Sequence, residues 1–511
     1  MKGNARHLIH PILSGNFPIV FLFLGNYDRV QAQDLFIPVT LVSLTAIGMA
    51  FGLGRALKDF SRGAIITTLF LILFMSYGHF YEALKTLLLD SSGGLNPDLA
   101  VMPLSLLVFA AGAFWCTRRK KSPAALSQAF NVFAVSLYIV LAGHLVLSEK
   151  GLSGQGGGTQ LATGDIPSER PDIYYIIMDG YGRHDVLEEY YSFDNSTFIQ
   201  YLRSKGFFVG DKSAANYCQT SLSLASSLNS VYLDEVAKAA GPDSSGTAPL
   251  TAMIRQNSVL AFLKGIGYRF VSFSTGSFAT EFPTADLYIR PGRFISEFQN
   301  VLINTTPLPL VLGGSLGPHS QHRHRILSNL KRLGRLPAIP QPKFIFCHLL
   351  CPHPPFVFGS KGEEVSYDAR FSLDDAQLLV GVEMTLQEYR TRYSDQTTFM
   401  NQKLTEAVEA ILSAPGPRPV IIIQGDHGPG SKLDLESLEN SDVRERMPVL
   451  NAIYFQGEKL EDAYDTISPV NTFRLVFKHL FGSPLPLLDD RSYYSTASRP
   501  LKLHEVTERL K

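Results

Sequence analysis

The stretch PVIIIQGDHGPG, Pro419–Gly430, joins a β-branched run to an acid, an imidazole and glycines. Such a run is typical of a strand that is buried on both faces. Asp426 and His427 follow at its end, where a buried carboxylate is costly unless it is paired or binds a metal. Both can reach one cation if the backbone turns sharply, as Gly428 permits; an Asx-turn with a hydrogen-bonding histidine is the alternative. We interpret the stretch as a central strand that carries one half of a metal site.

Further runs of the same kind predict more strands in the C-terminal part of the chain. They are IYYIIMDGYG from Ile173, YRFVSFSTG from Tyr268, KFIFCHLLCPH from Lys343 and LNAIYF from Leu450. Helical patterns lie between them, at Ser196–Lys205, Asn257–Gly265 and Glu383–Leu412. This alternation predicts an α/β domain with a mainly parallel sheet and helices on both faces, in which ligands bind at the carboxyl ends of the strands.

The N-terminal part has long apolar runs with few charges. Five runs approach the roughly 20 apolar residues that a spanning helix needs, at about Leu8–Gly25, Leu35–Gly54, Ala64–Tyr81, Leu99–Cys116 and Ala129–Leu147. Basic residues precede the first run and lie in alternate loops, which places the N-terminus in the cytoplasm by the positive-inside rule. We therefore predict an integral, multi-pass protein of the inner or cytoplasmic membrane. It has a five-helix transmembrane domain (1–150), a Gly/Ser-rich linker (151–170) and a domain on the periplasmic or extracellular side (171–511).

The charge balance excludes one class of partner. The chain of 511 residues holds 46 Lys and Arg against 46 Asp and Glu. Proteins that bind nucleic acids usually carry a basic patch or stripe, which this balance does not indicate. We therefore expect no nucleic-acid partner.

Other polar residues stand near the predicted strand ends. Asp179 follows IYYIIM and is either a metal ligand or a turn former. In CHLLCPHPPF, His348 lies within a strand, as a structural histidine would. His353 lies in a proline-stiffened loop, where it either faces an anionic substrate oxygen or belongs to a plain proline-rich turn. Thr220, in NYCQTSLSLASSLNS, marks either an ordinary helix start or a nucleophile beside a bound anion. A hydroxyl becomes a nucleophile at neutral pH when a metal lowers its pKa.

The order Asp179, Thr220, His353, Asp426-His427 resembles the alkaline phosphatase/sulfatase superfamily. With five spans and an outward domain, the chain looks most like the lipoteichoic acid synthase and lipid A phosphoethanolamine transferase branch. The resemblance covers the whole chain in architecture and about residues 171–480 in motifs. It implies that Asp179, Thr220, Asp426 and His427 bind a divalent metal, for which their oxygens and imidazole favour Zn or Mn. It also implies that Thr220 is the nucleophile and that His353 contacts the substrate phosphate.

The sequence departs from that pattern at two places. Sulfatases carry a cysteine or serine in a C/S-x-P/A-x-R frame, which the residues after Cys218 do not provide, so sulfatase chemistry is not expected. Phosphoethanolamine transferases carry a further histidine soon after Asp-His-Gly, and here Arg444 and Arg446 stand in that region instead. They either hold a substrate anion, since Arg matches phosphate geometry, or lie on the surface. The missing histidine favours one metal over two.

The implied function is a metal-dependent transfer of a phospholipid headgroup, phosphoethanolamine- or phosphoglycerol-like. A cell-envelope glycan or lipid would accept the group, through a phospho-threonine intermediate. Two alternatives stay open: a sulfatase-like or phosphodiester hydrolase with water as acceptor, and a non-catalytic, lipid-binding regulator of the envelope. The retained nucleophile and ligands favour an enzyme.

Overall fold

The computed structural model describes residues 5–26, 30, 32–89, 97–148, 170–241, 243–291, 295–312, 317–340, 342–365, 371–373, 375–381 and 384–510. The chain divides into two compact units, which we call the N-terminal unit (Met1–Gly154 with Ile295–Gly317) and the C-terminal unit (Gln155–Phe294 with Pro318–Lys511). The predicted linker lies outside the described residues apart from Arg170. The sequence did not predict that the segment from Ile295 groups with the N-terminal helices.

The N-terminal unit contains five long apolar helices. They are α1 (Ile9–Leu24), α2 (Phe36–Ala56), α3 (Phe60–Leu89), α4 (Asp98–Arg118) and α5 (Ala124–Ser148), and the later segment adds α12 (Glu297–Asn304). The five helices are long and apolar enough to cross a membrane. The prediction of five apolar helices is confirmed, and by length and composition they can anchor the chain in a membrane.

The C-terminal unit is built on a seven-stranded sheet with the order β2-β7-β6-β1-β5-β3-β4. The strands are β1 (Ile173–Met178), β2 (Phe208–Val209), β3 (Arg269–Phe273), β4 (Leu287–Ile289), β5 (Lys343–Leu349), β6 (Val420–Gly425) and β7 (Asn451–Phe455), with a separate pair, β8 (Tyr493–Tyr494) and β9 (His504–Glu505). From β6 to β4 neighbouring strands are parallel, while β7 and β2 pair antiparallel at one edge. The predicted mainly parallel sheet is confirmed.

Helices cover both faces of this sheet. They are α6 (His184–Tyr191), α7 (Ser196–Ser204), α8 (Thr220–Ser227), α9 (Asp234–Ala240), α10 (Ala248–Arg255), α11 (Ser258–Gly265), α13 (Pro318–Leu333), α14 (Ala376–Leu379), α15 (Leu386–Leu412), α16 (Val443–Arg446) and α17 (Pro469–Phe481). Every residue of β1 is buried. Tyr174 shares a core with Leu404 of α15, and Tyr175 shares the opposite core with Phe473 of α17. This two-sided burial explains the unbroken apolar runs in the sequence.

The three predicted helices form with small shifts at their ends. The Asn257 side chain accepts a hydrogen bond from Leu260 N at 2.7 Å, so α11 starts one residue after its predicted first position. The longest helix starts at Leu386, where Thr385 and Glu388 form a capping box, and its predicted first residue, Glu383, lies outside the described residues.

Candidate metal centre

The candidate ligands come from neighbouring strands of the sheet. Asp179 follows β1, and Asp426 and His427 follow β6, which pairs with β1 so that Met178 is level with Gly425. Parallel pairing therefore brings the three residues to one edge. All three are buried, and one ligand atom of each lies within 4.8 Å of the others.

The two carboxylates each leave one oxygen without a hydrogen-bond partner among the described residues. Asp426 Oδ1 accepts from the N–H groups of Gly180 at 3.1 Å and His427 at 3.0 Å. Asp426 Oδ2 and Asp179 Oδ1 are buried and have no hydrogen bond within the described chain. Burying such atoms costs free energy unless a positive charge compensates it. This pair of oxygens therefore fits a bound cation.

The imidazole of His427 presents its unprotonated nitrogen to the same place. Its Nδ1 lies 3.0 Å from the carbonyl oxygen of Gly428, so Nδ1 carries the proton and Nε2 the lone pair. Nε2 is 3.5 Å from Asp179 Oδ1 and 3.5 Å from Asp426 Oδ2. Burial, and next the charge of Arg446, lower the pKa of His427 and favour the neutral form that binds metals.

Gly428, which follows Asp426 and His427, allows the backbone to pack closely against the site. Gly428 donates its N–H to Arg446 O at 2.7 Å, and a Cβ at this position would lie 2.6 Å from Glu445 O. Gly428 is not among the residues with positive φ. Its lack of a side chain lets the backbone of residues 445–448 approach the site.

Thr220 reaches the centre from the start of α8. Its Oγ1 lies 3.1 Å from His427 Nε2. One turn later, Ser223 Oγ donates to Asp426 O at 2.6 Å and ties the helix to the end of β6. The structure thus brings together all four residues that the sequence assigned to metal binding. The positive end of the helix dipole lies at Thr220, where it favours negative charge.

His353 lies beside this group in the proline-containing loop. Its N–H donates to Asp179 O at 3.0 Å, and its ring Nδ1 lies 2.7 Å from Pro354 O. Burial alone would lower its pKa, but the charge of Asp179 and contact with Asp375 raise it to about 9. The two carboxylates therefore favour the protonated imidazole, which is the form suited to a phosphate oxygen.

Arg446 is buried against the centre, whereas Arg444 is exposed. Arg446 Nη1 donates to Asp375 Oδ2 at 2.6 Å, and Nη2 lies 3.3 Å from His427 Nε2. Arg444 Nε donates to the carbonyl oxygen of Arg509. The exposure of Arg444 agrees with the surface role that the sequence left open, whereas Arg446 lies buried beside the candidate metal ligands.

Sequence reasoning missed Asp375. Its Oδ2 lies 2.6 Å from Arg446 Nη1 and 3.7 Å from His353 Nε2, so it joins the two cations. Burial raises its pKa, but Arg446 and His353 outweigh burial and hold the pKa well below its usual range. No sequence signal marked it, because it precedes a short helix in an irregular stretch.

His348 supports the centre from within β5. Its Nδ1 lies 3.0 Å from Thr280 Oγ1 and its Nε2 lies 3.3 Å from Asp179 Oδ2. Asp179 is buried, which alone would raise its pKa, yet the charge of His353 and the contact with His348 lower it. His348 thus lies within a strand, as the sequence predicts, and its contact with Asp179 orients this candidate metal ligand.

Among the solved structures to which the chain is similar are three of low sequence identity. One is the C-terminal periplasmic domain of EptC from Escherichia coli in complex with Zn, with 13% identity, TM-score 0.43, and 68% of this chain and 96% of that chain covered. Another is the soluble domain of lipooligosaccharide phosphoethanolamine transferase A from Neisseria meningitidis, with 13% identity, TM-score 0.40 and coverages of 63% and 92%. The third is phosphonate monoester hydrolase of Agrobacterium radiobacter, with 14% identity, TM-score 0.40 and coverages of 64% and 80%.

Neither a protein-family model nor a curated protein matches the sequence. At this level of similarity an activity or substrate does not transfer from one protein to another. The function is therefore argued from the residues of this chain.

Proposed function

We propose that the C-terminal unit is a metal-dependent phosphotransferase that moves a phospholipid headgroup onto a cell-envelope glycan or lipid. One observation carries the proposal: the Thr220 hydroxyl lies 3.1 Å from His427 Nε2, beside the buried cluster of Asp179, Asp426 and His427. A hydroxyl at a helix start, beside two carboxylates that each keep one buried oxygen without a hydrogen bond in the described chain, has the surroundings of a metal-activated nucleophile. The five apolar helices favour a phospholipid donor, because they hold the chain at a membrane.

Asp179, Asp426, His427 and Thr220 are the residues that would hold the metal. The buried carboxylate oxygens without hydrogen bonds in the described chain are the observation that fits it. Three oxygens and one imidazole nitrogen suit Zn or Mn. When bound, a divalent ion lowers the pKa of a coordinated hydroxyl and so supplies a nucleophile at neutral pH.

Thr220 Oγ1 loses its proton to water and attacks the phosphorus of the donor phosphodiester. The bond from Oγ1 to phosphorus forms, and the bond from phosphorus to the lipid oxygen breaks. His353, whose protonated form Asp179 and Asp375 favour by raising its pKa, holds a phosphoryl oxygen or gives its proton to the departing lipid oxygen. An acceptor hydroxyl then attacks the phospho-threonine and restores the Thr220 hydroxyl.

In this scheme Arg446 binds the phosphoryl group of the donor. Its guanidinium is buried 3.3 Å from His427 Nε2 and is oriented by Asp375. A charged guanidinium there can receive a phosphoryl oxygen in a hydrogen bond of about twice ordinary strength. Its presence also favours one metal over two, since it adds positive charge beside His427.

Arg444 offers a matched control on the same short helix. Arg446→Lys keeps the charge but removes the planar guanidinium, so it should raise KM for the donor and lower kcat/KM. Arg444→Lys should leave both constants near those of the unchanged protein. Equal effects of the two substitutions would refute the role given to Arg446.

The central experiment follows the covalent intermediate. The full-length protein in detergent, loaded with Zn or Mn, is incubated with a phospholipid labelled in the headgroup phosphate. We expect label on the protein at position 220 and its loss in Thr220→Ala, while Thr220→Ser retains a hydroxyl and becomes labelled. Label that persists in Thr220→Ala would refute the proposal.

The fate of the label separates transfer from hydrolysis. Transfer predicts that the label leaves the protein only when a glycan or lipid with a free hydroxyl is added. Release of a soluble phosphate ester without an acceptor would indicate a hydrolase instead. A metal-loaded protein that is never labelled would favour a non-catalytic lipid-binding role.

A further inference from the structure

The large hydrophobic side chains exposed by the described residues are confined to two regions. Most lie on the five apolar helices of the N-terminal unit, and the others are Val301, Leu310 and Val311. Within the described residues, the C-terminal unit exposes none. Val311 is 76% exposed, more than any other residue of this group. A contiguous exposed apolar patch marks an interaction surface.

The segment that carries these three residues, 295–312, is attached to α3. The N–H of Gly78, inside α3, donates to Thr305 O at 2.8 Å. A Cβ at Gly78 would lie 2.0 Å from Asn304 O, so the segment approaches the helix as closely as a glycine allows. Gln299 Nε2 also donates to Asp34 O at 3.3 Å. Segment 295–312 is therefore attached to α3 and to the residues that precede α2.

Both attachment points lie on the same side of the membrane in the predicted topology. Asp34 precedes α2 and Gly78 lies in the last part of the third predicted span. With the N-terminus in the cytoplasm, the start of the second span and the end of the third are on the outer side. Segment 295–312 thus meets the helices at the outer membrane–water boundary.

The composition of the segment suits an apolar environment. Over 295–312, Glu297 is the one charged residue, and PLPLVL ends the stretch. The hydroxyls of Thr305 and Thr306 donate to the carbonyl oxygens of Leu302 and Ile303 at 2.8 and 2.7 Å. Satisfying polar groups internally is what hydrocarbon requires of a chain.

We propose that segment 295–312 is a membrane-binding element, with Val301, Leu310 and Val311 inserted into the outer leaflet of the bilayer. Its occupant is phospholipid, because the segment is attached to helices that are long and apolar enough to cross a membrane, at their predicted outer boundary. Lacking basic residues, it binds through apolar burial rather than through attraction to anionic headgroups. This role is independent of the chemistry proposed for the metal centre.

The single tryptophan of the chain makes a direct test possible. Trp115 lies in α4. In a full-length Trp115→Phe background, Leu310→Trp places the indole in the segment, and Glu461→Trp places it on an exposed polar position of the C-terminal unit. Each variant is reconstituted in phosphatidylcholine vesicles with or without bromine on the acyl chains, and the unchanged protein serves as a membrane-embedded reference.

We expect the indole at position 310 to emit at shorter wavelength and to lose most of its fluorescence to brominated lipid, as Trp115 does in the unchanged protein. The indole at position 461 should not be quenched. Solvent-like emission at position 310 without quenching would overturn the proposal. A blue-shifted emission without quenching would also overturn it, because it would mean that protein, such as a second copy of the chain, covers the patch. Val311→Trp repeats the test if the first variant folds poorly.

Discussion

Asp375→Asn tests the buried charge pair that orients the candidate anion-binding residues. Asp375 Oδ2 lies 2.6 Å from Arg446 Nη1, and the two side chains are 6% and 4% exposed. The amide is nearly the same size as the carboxylate but leaves the guanidinium buried without its negative partner. Charges about 4 Å apart interact by about 4 kcal/mol at an effective dielectric constant of 20. Breaking a buried pair typically costs about 3–5 kcal/mol, so the free energy of unfolding should fall by that amount.

The assay is urea unfolding of the full-length protein in detergent, monitored by near-UV circular dichroism. The double variant Asp375→Asn/Arg446→Met removes both charges and should recover most of the loss, because no unpaired charge stays buried. A loss below about 1 kcal/mol for Asp375→Asn would place the pair in the range of weak surface interactions and refute this reasoning. A double variant as unstable as the single one would show that the cost is not electrostatic.

Three further predictions concern the supports of the centre and of the membrane segment. Gly78→Ala brings a Cβ to 2.0 Å from Asn304 O, so it should lower the free energy of unfolding by about 1–3 kcal/mol and make residues 305–312 easier to proteolyse. Gly48→Ala, whose Cβ would have no atom within 4 Å, should change neither. His348→Asn should weaken metal binding by about 10–100-fold in a chelator competition titration, because the contact that orients Asp179 is lost; unchanged affinity would remove His348 from the support of the site. Gln396 accepts a hydrogen bond from the N–H of Val357 at 2.8 Å and donates one to His353 O at 3.2 Å. Gln396→Leu should therefore lower kcat while the metal content stays the same, and the control Gln402→Leu, at an exposed position, should change neither.

The sheet could be predicted from the sequence because each long strand is marked by its own local run of apolar residues. Strands buried on both faces need unbroken apolar runs; β1 has one from end to end, and β6 has one over its first four residues. Parallel strands place their carboxyl ends at one edge, so polar residues after each strand, such as Asp179 and Asp426, could be expected to meet. The short strands β2 and β4 were not predicted, since two or three residues give no measurable periodicity.

The parts of the site that the sequence did not predict depend on tertiary contacts. Asp375 is more than seventy positions from Arg446 and precedes a helix of four residues, so neither spacing nor pattern links them. Arg444 and Arg446 look alike in the sequence, and only the packing of α16 makes one exposed and the other buried. The grouping of segment 295–312 with α3 likewise follows from a backbone contact at Gly78 that no sequence pattern records.

The most direct test of the central claim is the metal content of the purified full-length protein. The chain is loaded with Zn or Mn, dialysed to remove free ions and measured by inductively coupled plasma mass spectrometry. Asp179, Thr220, Asp426 and His427 together predict one divalent ion per chain. Asp426→Asn should lose the ion while near-UV circular dichroism shows an intact fold. No bound ion in the unchanged protein, or full retention in Asp426→Asn, would contradict the account.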